Sequence, residues 1–188
     1  MIKREDGLSL IELIVTITII GILVAALSTQ FTGWRKAYKV ESQLKELQMD
    51  LMDTRAKAMQ RNRMHFARLD TDGYQVHEDT NPAPDGNNTL DVGSDALILD
   101  KELSEGYPIT WSGGDNELDF LQSGMSDIDG SKTICINDND PTDNDEHYFD
   151  ADYNCIVVTA TRINLGKLGE KYSVLGPSAC SEGNCDQK

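Results

Sequence analysis

Residues 8–27 form an apolar run interrupted by a single ionisable side chain, Glu12. No proline occurs before Pro82. A stretch of roughly 20 apolar residues is long enough to span a bilayer as a helix. A lone carboxylate inside such a stretch is expensive and calls for a partner. The run follows a short charged leader, residues 1–7, which contains Lys3, Arg4, Glu5 and Asp6 and ends in Gly7.

The helical pattern continues past the run. Ala37, Val40, Leu44, Leu47 and Leu51 recur at spacings of three and four and lead to Ala58, while charged residues fill most other positions. One helix from about Ser9 to about Arg63 is expected. It is hydrophobic all round in its first half and amphipathic in its second, with a stripe that packs on the C-terminal part. From residue 64 the pattern changes. Residues 64–69 and 74–77 read as two strands around an Asp-Gly turn. Residues 81–93, with Pro82, Pro84 and several Asn and Gly, read as a polar loop. Further strands are expected at 96–99, 109–112, 117–121, 131–137, 155–163 and 172–175. The fold class is therefore α+β: one long N-terminal helix packed on an antiparallel sheet or sandwich.

Charge divides along the chain. Residues 1–69 carry 11 Lys/Arg against 7 Asp/Glu, and residues 70–188 carry 6 against 25. The acidic part repels phosphate backbones, which argues against nucleic acid as a partner. Its four cysteines, Cys135, Cys155, Cys180 and Cys185, all lie beyond the helix. An even number in an exported segment points to disulfides in an oxidising compartment. Of the three pairings, Cys135 with Cys155 and Cys180 with Cys185 is preferred. Zinc is disfavoured because no C-x-x-C spacing occurs.

The leader ending in Gly7, the hydrophobic Leu8 and the acid Glu12 at the fifth position after the glycine together resemble the class III signal of type IV pilins and type II secretion pseudopilins. A secretory signal peptide, cut near Ala25-Ala26-Leu27-Ser28, or a plain membrane anchor, leaves the glycine and the acid unexplained. Residues 118–125, with Phe120 and Gly124, and the following apolar segments 133–136 and 155–163 resemble the GspH/FimT group, although Thr161 replaces the glycine of a Gly-Arg pair. Leu8 stands where phenylalanine is commoner, and Thr29 where many major pilins have proline.

The resemblance implies four segments: a leader, 1–7, removed by prepilin peptidase; a transmembrane and filament-core helix, 8–28; its amphipathic continuation, 29–63; and a β-rich periplasmic or extracellular domain, 64–188. It implies cleavage between Gly7 and Leu8 with N-methylation of Leu8. It also implies that Glu12 meets the terminal amine of a neighbouring subunit, where each buried charge is tolerable because the other is there. Charge alone does not orient the helix, since Lys3 and Arg4 flank one end and Arg35, Lys36 and Lys39 the other. The resemblance places the leader in the cytoplasm and the chain in the bacterial inner membrane. The expected partners are other pilin or pseudopilin subunits, the prepilin peptidase and an inner-membrane assembly platform.

The expected function is that of a minor pilin that primes assembly or sits near the tip of a type IV pilus. A minor pseudopilin of type II secretion is the alternative, and a membrane-anchored calcium-dependent binding domain the second. No catalytic pattern is present, so no enzyme is expected. Residues 137–146 are dense in oxygen ligands, and Asp138, Asp140, Asp143 and Asp145 form a candidate calcium set. EF-hand spacing fails there, and a solvated loop with no cofactor is the plainer reading. His65, His77 and His147 are scattered and read as structural or exposed. The C-terminal cations Arg162, Lys167 and Lys171 are too few for DNA uptake.

Overall fold

The computed structural model describes residues 9–84, 86–136, 151–169 and 180–187, without the side chains of 26–32 and 182. One helix, α1 (Leu10–Arg61), runs unbroken from the first described turn. Asn62 ends it in the left-handed conformation (φ 52°), and its backbone N–H donates to the Ala58 carbonyl. Such a residue satisfies an otherwise orphaned helix carbonyl, and asparagine tolerates the geometry. The helix thus stops two residues before the expected Arg63.

Among the described residues nine strands follow: β1 (His65–Asp70), β2 (Gly73–Glu78), β3 (Ala96–Glu102), β4 (Ile109–Trp111), β5 (Glu117–Phe120), β6 (Ser131–Ile136), β7 (Cys155–Thr159), β8 (Ile163–Leu168) and β9 (Cys185–Gln187). They form two antiparallel sheets among the described residues, ordered β3-β2-β1-β5 and β4-β6-β7-β8-β9. The expected strand at 172–175 lies outside the described residues.

Two local expectations change. The β1–β2 turn is Thr71-Asp72, with Asp70 opposite Gly73, so the glycine opens β2 instead of forming the turn. It is needed because β3 passes close by: a Cβ at Gly73 would sit 2.1 Å from the Lys101 carbonyl oxygen. The single strand expected at 155–163 is instead a hairpin, β7 and β8. Its turn is held by the Thr159 N–H donating to the Arg162 carbonyl (2.8 Å) and the Arg162 N–H donating to the Thr159 hydroxyl (3.1 Å).

One core lies between the helix and the inner faces of both sheets. Val40, Leu44, Leu47, Leu51 and Ala58 are completely buried on α1. They meet Ala67, Leu69, Val76 and Leu118 of the first sheet and Ile134, Ile136, Ile156 and Val158 of the second. Fully burying such a side chain is worth about 1.5–3 kcal/mol, so this stripe fixes the helix on its domain. Polar latches add to it. The Tyr74 hydroxyl donates to Asp50 at 2.6 Å, and burial together with that carboxylate raises the phenol's pKa far above its ordinary value. Lys101 of β3 pairs with Glu46 at 2.5 Å.

The preferred cysteine pairing is overturned. Cys135 bonds Cys180, and Cys155 bonds Cys185. Cys135 and Cys155 sit opposite each other on β6 and β7, yet neither bonds the other. The C-terminal segment folds back along β8 as β9, which brings Cys180 and Cys185 to the two strand cysteines. Gly166 of β8 makes room for this, since a Cβ there would lie 2.6 Å from the Cys185 sulfur.

Candidate assembly surface

The domain consumes one face of α1 and leaves the rest of the helix uncovered. From Leu10 to Ala25 every residue is exposed, including Leu10 at 75% and Ile22 at 65%. Patches of this extent on a soluble monomer mark a site of protein or membrane contact. The polar side chains of the stretch do not spoil its apolar character. Thr16 donates its hydroxyl to the Leu13 carbonyl (2.8 Å) and Thr18 to that of Ile14 (2.7 Å), so both are satisfied within the helix. Among the described residues no helix is long and apolar enough to cross a membrane.

Glu12 stands in the first turn of α1, exposed, with its N–H donating to the Ser9 carbonyl at 3.0 Å. A carboxylate here complements the positive end of the helix dipole. Its position leaves it open to a cation from outside the chain. Gly7 and Leu8, the expected cleavage and methylation positions, lie outside the described residues.

A second exposed stripe escaped the sequence reading. Trp34, Tyr38, Met49, Met52 and Met59 are all about half or more exposed. At 100° per residue they fall within about 80° of one another, roughly 130° around the helix from the buried stripe. Trp34 and Tyr38 stack with ring centroids 6.1 Å apart. Methionine is flexible and polarizable and adapts to irregular partners. The signal was available in the sequence as methionines recurring on the polar side of the helix.

The other candidates separate from this surface. Asp138, Asp140, Asp143, Asp145, His147 and Lys171 lie outside the described residues, and among the described residues no cluster of three or more metal-ligating side chains occurs. In the loop between β2 and β3 the acids are turned inward as backbone acceptors. Asp79 accepts from Asn87 and Asn88 (3.1 and 2.8 Å), and Asp95 from Thr80, Asn81 and Asp91 (2.8–3.0 Å). Burial alone would raise the Asp95 pKa, but these N–H donors outweigh it and hold it below its ordinary value. His65 and His77 are buried, and burial lowers the pKa of each. Among the described residues neither ring nitrogen of His77 makes a hydrogen bond of good geometry, and burial outweighs the nearby Asp95, which fits a neutral, structural imidazole. Asp119 on β5 is pushed up to about 6, by burial first and then by the nearby Glu117, Asp127 and Asp115. Arg162 is exposed, and Lys167 sits opposite Asp186 on β9, so the two form no basic patch.

Comparison with known proteins bears on both halves of the chain. Residues 2–28 match the family model of the prokaryotic N-terminal methylation motif. No curated protein matches the chain. Among solved structures, it is similar to the type IV minor pilin FimU of Pseudomonas aeruginosa, at 19% identity and a TM-score of 0.50, covering 69% of this chain and 90% of that one. It is also similar to the minor pseudopilin EpsH from the Type 2 Secretion System of Vibrio cholerae, at 15% identity and a TM-score of 0.46, covering 68% of this chain and 95% of that one. The likeness to FimU is a likeness of fold: a helix packed on antiparallel sheets.

Proposed function

We propose that this chain is a minor pilin or pseudopilin, a membrane-anchored subunit that enters a filament through its N-terminal helix and does not act as an enzyme. One observation carries the reading. The N-terminal methylation motif at residues 2–28 overlaps the start of a helix that is exposed from Leu10 to Ala25, while the second half of that helix carries a folded β domain. Such a helix has no use for its apolar surface as a soluble monomer; it needs lipid before assembly and neighbouring helices after it.

In this reading prepilin peptidase cuts between Gly7 and Leu8, and the amine of Leu8 is methylated and keeps its positive charge. Glu12 then supplies the complementary charge. Each is costly alone in an apolar core, so pairing sets the register between subunits. The Met49, Met52 and Met59 face is a second surface offered to neighbours. The acidic β domain suits a filament end, where fewer copies crowd together. A role in priming a type IV pilus is the favoured form of the proposal, and a pseudopilus of type II secretion the alternative.

The test is the mass of the N-terminal peptide from membranes of cells with and without prepilin peptidase. A chain beginning at methylated Leu8 only when the peptidase is present is the expected result. An intact leader, or a cut near Ala26, overturns the proposal.

A further inference from the structure

Just before the helix reaches its own domain, at residues 34–39, three features coincide. Trp34 and Tyr38 are exposed (64% and 65%) and stacked on one side. At 100° per residue Arg35 lies about 80°, Lys39 about 120° and Lys36 about 180° round the helix from the middle of that pair, so the cations complete the ring. The first completely buried residue of the domain is Val40, immediately beyond them. Between Glu12 and this group, residues 13–34 carry no charged side chain.

Lengths along the axis decide what such a group fits. At 1.5 Å per residue, Glu12 to Trp34 spans about 33 Å and Trp34 to Lys39 about 7.5 Å. A bilayer's hydrocarbon core is about 30 Å thick, and each headgroup layer adds roughly 5–8 Å. The uncharged segment therefore matches the core, and the aromatic-cationic segment matches one headgroup layer. Tryptophan and tyrosine prefer that layer because their rings are amphipathic, and lysine and arginine there meet lipid phosphates. The opposite charge of the two neighbouring parts sharpens the match: residues 70–188 carry 25 acids against 6 cations and are repelled by those same phosphates.

We infer that residues 34–39 form an interfacial collar that seats α1 in a phospholipid bilayer at one fixed depth, with the domain held just outside. Its occupant is the phosphate-bearing headgroup layer on the domain side of the membrane. A consequence concerns Glu12. Once the collar is seated, Glu12 lies at the opposite headgroup layer, where its charge is solvated, and loses that solvation only when the helix leaves the lipid. The inference rests on the membrane anchoring proposed above.

The experiment uses the full chain carrying Trp111→Phe, which leaves Trp34 as its sole tryptophan, reconstituted in vesicles of phosphatidylcholine and phosphatidylglycerol. Flotation with the vesicles reports anchoring. Quenching by lipids brominated near the glycerol backbone or near the chain end reports the depth of Trp34. The expected result is flotation, blue-shifted emission and quenching about twofold stronger from the shallow bromines than from the deep ones. Flotation with the strongest quenching from the deep bromines, or with none, overturns the collar and leaves anchoring standing. Blue-shifted emission that bromolipids leave untouched assigns the surface to another protein chain instead. Failure to float overturns the anchoring reading and the collar with it.

Discussion

Removing one disulfide at a time tests how the C-terminal segment is held. Replacing Cys155 and Cys185 together by alanine opens the bond that ties β9 to β7. The two residues are 30 apart in sequence. With Cys135–Cys180 intact, however, the shorter covalent path from Cys185 to Cys155 runs back through that bond, and closes a ring of about 25 residues. Loop-closure entropy for such a ring gives about 3.5 kcal/mol. Removing Cys135 and Cys180 instead opens a loop of 45 residues, although the remaining bond again shortens the path, so a similar loss is expected. Either loss is a large share of a stability that is typically about 5–15 kcal/mol. The assay is denaturant unfolding of the full chain in detergent, with thiols counted under denaturing, non-reducing conditions. Both double variants should show no free thiol, because each removes a bonded pair whole. The variant lacking Cys135 and Cys155 should show two, or an unnatural bond between Cys180 and Cys185. Free thiols in the Cys155→Ala/Cys185→Ala chain would refute the pairing. A stability loss below about 1 kcal/mol there would refute the entropic reasoning.

Four further outcomes are expected. Leu47→Ala, at a completely buried position against both sheets, should cost about 3 kcal/mol in denaturant unfolding; a loss under about 1 kcal/mol would mean the helix is not fixed by this stripe. The folded-state pKa values of His65 and His77 lie below the ordinary 6.5, so their contribution is intact above that pH and is lost as pH falls through the folded values; a His77→Gln variant whose unfolding midpoint falls as steeply between pH 7 and pH 5 as the parent's would contradict this. Asp119 has the opposite sign: its carboxyl is raised to about 6, so stability is lost as pH rises through that value, and Asp119→Asn should stabilise the chain at neutral pH with a gain that shrinks toward pH 4, measured by thermal unfolding at both pH values. Glu12→Ala should leave cleavage after Gly7 largely intact while lowering recovery of the chain in sheared filaments, and normal incorporation would remove the registry role from Glu12.

What the sequence disclosed depended on the range over which each feature is determined. The helix was legible because Val40, Leu44, Leu47 and Leu51 repeat at the helical period, and its end was missed by two residues only because Asn62 adopts a left-handed cap. The β1–β2 hairpin was legible from its flanking alternation, but the role of Gly73 was not, since its constraint comes from Lys101 on a strand almost thirty residues later. The β7–β8 turn was hidden because residues 160–162 contain no glycine, proline or asparagine; a threonine hydroxyl closes it instead. Strand β9 is three residues long and exists because the chain returns along β8, which no local pattern encodes. The cysteine pairing failed for the same reason, as bond partners follow from the sheet order. Of the candidate site, Gly7, Leu8 and Glu12 were legible as a motif, whereas the methionine stripe left only the trace of methionines recurring on the polar side of the helix, and its meaning depends on which face the domain takes.

That last dependence explains how one helix can hold its own domain and still offer itself to others. The buried stripe begins at Val40 and sits on one side only, so the domain covers α1 from a single direction and nowhere covers the segment from Leu10 to Ala25. A domain that wrapped the helix would protect its apolar surface but leave nothing to assemble with. One that packed more weakly would be pulled from its helix when the apolar end changed surroundings. The Leu44, Leu47 and Leu51 contacts and the Tyr74–Asp50 bond make the second half rigid, and the domain therefore moves with whatever the first half binds. Exposed apolar length and one-sided packing are two consequences of the same design constraint: the helix must remain an interface after the chain has folded.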